Sequence, residues 1–83
     1  MSKLILQLKT PLERTENSPI RYVAGEVSVL DNGYVINLQL PGMENPSVCF
    51  FRNEDVGMIV LLTEEDDITG LGGNDDFMLA ANI

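Results

Sequence analysis

Residues 26–40 read EVSVLDNGYVINLQL, two alternating apolar runs about an Asn-Gly pair. Asn-Gly is the strongest short-range signal for a two-residue hairpin, because both central residues of a type I′ turn need positive φ. Placing Asn32 and Gly33 in the turn sets Asp31 opposite Tyr34, Val29 opposite Ile36 and Val27 opposite Leu38. The polar pairs Ser28/Asn37 and Glu26/Gln39 then fall on the other face. Both strands yield the same inward set, so the pattern supports the pairing independently of the turn.

Upstream of this hairpin, Leu4, Leu6 and Leu8 alternate with Ile5 and Gln7, which predicts a first strand flanked by Lys3 and Lys9. TPLERTENSPI, residues 10–20, holds two prolines and several turn formers and reads as a loop. Downstream, PGMENP ends the hairpin. SVCFF and MIVLLT, separated by RNEDVG, then read as a second hairpin with a longer loop. Neither run alternates cleanly, which is the pattern of central strands covered on both faces. FMLAANI adds a last strand. The expected fold is mainly β, one domain over residues 1–83, with a small antiparallel sheet of five or six strands. One short acidic helix is an optional addition, with Thr63 as its cap, carboxylates in its first turn and Gly70 as its stop.

A chain of 83 residues buries only about 60% of its unfolded surface, so modest stability is expected. An apolar content of 45% argues against disorder. No apolar run approaches the roughly 20 residues that span a bilayer, so no membrane association is expected. MSKLILQLKT lacks a small-residue cleavage site and reads as a strand, not a signal peptide. Cys49 is the single cysteine, which excludes an internal disulfide and makes the cytoplasm the expected compartment, the host's if the chain is phage-encoded. Within SVCFF it reads as a small core residue.

The chain has no histidine, so neither a Ser-His-Asp nor a Cys-His arrangement can exist, and no imidazole can bind zinc. A non-enzymatic protein without cofactor is expected. Charge is segregated. Residues 1–52 hold five acids and five bases, whereas residues 53–83 hold eight acids and no base, so the net charge of −8 lies in the second half. Those acids are Glu54, Asp55, Glu64, Glu65, Asp66, Asp67, Asp75 and Asp76.

Three readings of the stretch LLTEEDDITGLGGNDDF compete. As a calcium loop it fails the EF-hand spacing, since Gly70 comes too early and no glutamate closes the loop. GLGGNDDFM matches one copy of a calcium-binding nonapeptide with Leu71 in place of a glycine, but that motif needs stacked repeats. As a connector the segment keeps a small protein soluble. As a binding surface its carboxylates stand in for phosphates in a partner's Lys/Arg-lined groove, with association steered by opposite charge. The binding reading ranks first, the connector second and calcium third. Glu64, Glu65, Asp66 and Asp67 are the first candidates for contact, then Asp75 and Asp76, then Glu54 and Asp55. Direct nucleic-acid binding is excluded by the acidic balance and by the lack of any basic patch.

A histidine-free, strongly acidic chain of this length, with MIVLLTEEDD at residues 58–67, resembles the small phage-type inhibitors of DNA-handling enzymes. These include uracil-DNA glycosylase inhibitors and the anti-CRISPR and anti-restriction DNA mimics. The resemblance implies a stoichiometric inhibitor that fills a basic nucleic-acid-binding groove. Such glycosylase inhibitors look to place a Glu-Ser-Ile edge strand in the groove, where ENSPI here carries Asn17 and Pro19. Two further classes stay open: a structural or assembly protein joining copies or partners through strand edges, and an immunity protein that neutralises a basic nuclease toxin.

Overall fold

The computed structural model describes residues 2–13, 19–40 and 42–81. The chain is mainly β. Its strands are β1 Ser2–Glu13, β2 Pro19–Leu30, β3 Gly33–Leu38, β4 Ser47–Arg52, β5 Val56–Leu61 and β6 Phe77–Leu79. Short 3-10 turns at Asn53–Asp55 and Thr69–Gly73 complete the regular structure among the described residues. No helix follows Thr63, and no helix among them is long and apolar enough to cross a membrane.

The strand order is β4-β3-β2-β1-β5, antiparallel throughout, while β6 lies parallel to β2. β2 is long enough to serve three neighbours. Residues 19–27 pair with β1, residues 28–30 pair with β3, and Tyr22, Val23 and Ala24 pair with β6. The chain beyond β6 bridges the two parts of the sheet: Ala80 N–H donates to Ala24 C=O at 2.7 Å and Ala81 N–H to Asn37 C=O at 2.8 Å. Gly25, at φ 142°, makes that crossing feasible, because a Cβ there would lie 2.4 Å from Ala80 Cβ.

The sheet curls around one core. Leu4, Leu6 and Leu8 of β1 meet Ile20, Val23 and Val27 of β2, Ile36 and Leu38 of β3, Val56 of β5 and Met78 of β6. The expected alternation of β1 is therefore present, and Val27, Ile36 and Leu38 share the inward face assigned to the hairpin. Cys49 packs half-buried against this cluster, and burial pushes its thiol pKa up.

Four expectations are corrected. The hairpin turn lies one residue earlier, at Asp31 and Asn32, with Leu30 opposite Gly33 and Val29 opposite Tyr34. No non-glycine residue described has positive φ, so the turn is not type I′. Gly33 is instead required inside β3: a Cβ there would lie 2.3 Å from Phe51 C=O on β4. The shift moves partners by two positions, which keeps every side chain on its face.

Second, residues 10–13 and 19–20 are strand, because Leu12 opposite Ile20 buries the latter completely. Pro19 is tolerated as the first residue of β2, and Pro11 sits where the β1–β2 register shifts. Residues 14–18, including most of ENSPI, lie outside the described residues. Third, β4 and β5 are not a hairpin. The turn Asn53–Asp55 carries the chain from one edge of the sheet to the other, where β5 pairs with β1. Fourth, both are therefore edge strands and not covered on both faces. β4 alternates half-buried and exposed residues, and β5 is exposed from Gly57 to Leu61.

Candidate functional site

The acidic residues occupy three places around this sheet. Glu64 and Glu65 form the tip of a turn just beyond β5, and both are exposed. The turn is closed at its base by Asp66. Its Oδ2 accepts Thr63 N–H at 2.6 Å and Thr63 Oγ1–H at 3.1 Å, while Asp66 N–H donates to Thr63 C=O at 3.1 Å. This is the reciprocal half of a capping box, closed without a helix to follow. The next carboxylate explains why the chain turns away. Asp67 Oδ1 accepts Thr69 Oγ1–H at 2.6 Å and Thr69 N–H at 3.0 Å, a local Asx-type turn that competes with helix.

These bonds favour the charged form of both groups. Hydrogen bonding from the Thr63 backbone and side chain holds the Asp66 carboxyl below its usual range. The Thr69 hydroxyl and amide do the same for Asp67. Lys3 adds to both: its Nζ donates to Asp66 C=O, and its C=O accepts Leu62 N–H at 3.0 Å. The turn is thus tied to the start of β1 and built on Thr63, which the sequence marks as a cap, and on Thr69 and Lys3, which it does not single out for this role.

Glu54 and Asp55 sit at the other end of β5, about 17 Å away by strand rise. Both are paired with Arg52. Its Nε lies 2.9 Å from Asp55 Oδ2 and its Nη1 3.3 Å from Glu54 Oε1. The hydrogen bond from Arg52 is the main reason that the Asp55 pKa is lowered. Asp75 and Asp76 precede β6. The Asp76 carbonyl accepts Arg21 N–H at 2.8 Å and Tyr22 N–H at 3.0 Å, so this residue anchors β2 through its backbone. Asp76 lies beside Tyr22, whereas Asp67 lines a hollow with Lys3, Glu26 and Ala80. Those places are roughly 13 Å apart along β2.

The structure brings Glu64, Glu65, Asp66 and Asp67 together and sets the other two pairs apart from them. No group of three or more carboxylates or cysteines among the described residues is arranged to hold a metal ion.

Beside the acidic turn runs a surface that the sequence raises only through the general strand-edge alternative, without assigning it to β5. Met58, Ile59, Val60 and Leu61 expose 51, 39, 37 and 80% of their area on the free edge of the sheet. Their lack of alternation was compatible with burial on both faces. An uncovered edge produces the same pattern, and nothing in MIVLL itself separates the two. No protein-family model matches the chain, and no curated protein or solved structure matches it significantly.

Proposed function

We propose that this chain is a non-catalytic binding protein whose acidic turn occupies a positively charged, nucleic-acid-binding surface of a partner protein. The observation that carries this reading is the fixed turn. Glu64 and Glu65 project from a loop closed by Asp66 on Thr63, by Asp67 on Thr69 and by Lys3, so the backbone that carries them is shaped before any partner arrives. Ordering a loose acidic tail would cost entropy at the moment of binding; this turn avoids that cost. Charge segregation adds long-range steering toward a cationic surface.

Within the turn the roles divide. Glu64 and Glu65 are the phosphate surrogates, while Asp66 and Asp67 hold the shape. The reading is tested by a pull-down of the tagged chain from a lysate, eluted with a salt gradient, alongside a Glu64→Gln/Glu65→Gln variant. The expected result is a stoichiometric DNA- or RNA-processing protein released at moderate salt and captured poorly by the variant. Equal capture by the variant would remove the acidic turn from the interface. A second reading, assembly through strand edges, is favoured by the exposed β5 edge.

A further inference from the structure

We propose that the free edge of β5 takes up one extended strand from a basic partner protein, adding it to the sheet beside β5 and opposite β1. The inference rests on the binding reading above and specifies how the partner is gripped. β5 is the last strand in the sheet order and has β1 as its only ladder neighbour among the described residues. The phase of that ladder follows from one bond, Leu62 N–H to Lys3 C=O. Antiparallel pairs alternate between those that exchange hydrogen bonds and those that do not. Counting inward from Lys3/Leu62, the pairs Ile5/Val60 and Gln7/Met58 exchange bonds, whereas Leu4/Leu61 and Leu6/Ile59 do not. The N–H and C=O groups of Ile59 and Leu61 therefore point away from β1, into the position a further strand would take.

Beyond the irregularity at Gly57, residues 58–61 of this edge lack the usual protection. Natural edges are blunted by lysine, proline, inward charges or bulges. β4, the opposite edge, is preceded by Pro46 and ends in Arg52. Residues 58–61 carry neither charge nor proline. The register shift opposite Gln7 and Leu8, where Gly57 has no partner, limits the regular edge to these four residues, about 13 Å. Apolar side chains flank it on both faces: Met58 and Val60 beside Gln7 and Ile5, Ile59 and Leu61 beside Leu6 and Leu4.

Charge selects the occupant. Just beyond Leu61 stand Glu64, Glu65, Asp66 and Asp67, with Lys3 as the one cation bonded there among the described residues. At the Val56 end Arg52 already pairs with Glu54 and Asp55. A second copy of the chain brings no excess of cations to either end and adds another net charge of −8. A strand carrying lysine or arginine next to its apolar residues meets both features: backbone pairing at Ile59 and Leu61, and counter-charge at the acidic turn.

The test uses the full chain and a synthetic peptide of two lysines, Val-Thr-Val-Thr and two more lysines. Amide hydrogen exchange is followed by NMR with and without millimolar peptide. Slowed exchange at Ile59 and Leu61, with Val60 and Met58 little changed, is the expected result. Leu61→Pro should weaken the peptide about tenfold while leaving the β1 ladder intact, since proline removes only the outward donor. Folding of the variant is checked by the amide spectrum of residues in β1. Absence of protection at Ile59 and Leu61 overturns strand addition. So does unchanged affinity of Leu61→Pro together with lost affinity of Glu64→Gln/Glu65→Gln, which leaves the acidic-surface reading standing alone. Protection that appears without peptide, rises with protein concentration and accompanies dimers in sedimentation overturns the choice of a basic partner and makes the occupant a second copy.

Discussion

Asp66 and Asp67 each accept two hydrogen bonds from a neighbouring threonine, Thr63 and Thr69. The charged carboxylate accepts these bonds more strongly than the neutral acid does, so each pKa is lowered and the turn gains a pH dependence. The sign follows from linkage. A carboxyl whose folded pKa is lowered contributes stability that is complete above the unfolded value, about 3.9, and is lost as pH falls through the folded value. The turn should therefore hold its shape at neutral pH and loosen below about pH 4. Amide chemical shifts of Thr63 and Thr69 report it: both should titrate in acid with midpoints below that of a free aspartate. In Asp66→Asn the Thr63 amide should lose its titration while Thr69 keeps its own. A Thr63 shift that is flat in the wild-type chain would mean that this carboxylate is not its partner.

At the scale of elements, β6 is the smallest strand and holds the two parts of the sheet together. Met78 is buried in the core beside Val23 of β2, while the segment that follows donates to Ala24 and Asn37. Met78→Ala leaves a cavity in the core and should cost about 2–5 kcal/mol, a large share of the stability of so small a domain. Denaturant unfolding measures the loss. Hydrogen exchange at Ala80 and Ala81 should quicken by more than exchange in β1, because the loss falls first on the bridge between β2 and β3. That bridge was not legible in the sequence, where FMLAANI specified only an apolar run. Periodicity of two is a local property, so the faces of β1 and of the hairpin could be read directly. Partnership is not local. RNEDVG has the length of a hairpin loop, yet its Asn53–Asp55 turn carries the chain across to β1. Gly33 misled for a related reason: its need for space comes from Phe51 on a strand fourteen or more residues away, not from its own turn. The candidate acids were visible as composition, whereas their division into tip and base depends on bonds to Thr63, Thr69 and Lys3.

For the molecule as a whole, a net charge of −8 is carried on a body of 31 × 28 × 23 Å. At 0.01 M salt the screening length is about 30 Å, so every acidic group interacts with every other. At 0.15 M it is about 8 Å, and the acidic turn is largely independent of the two other acidic places, roughly 13–17 Å from it by strand rise. Self-repulsion should therefore destabilise the fold most at low salt. The melting temperature is expected to rise with sodium chloride, with most of the gain below about 0.15 M. Glu64→Gln/Glu65→Gln should melt above the wild-type chain in dilute buffer and converge with it at high salt. The same charges that cost stability in the free protein are those proposed to meet a cationic partner, so a partner should raise the melting temperature most where the free chain is weakest, at low salt. A melting temperature that falls as salt is added would point the other way. Screening would then be acting chiefly on favourable pairs, Arg52 with Glu54 and Asp55 and Lys3 with the turn, and the acidic surface would be internally balanced and not poised for an outside cation.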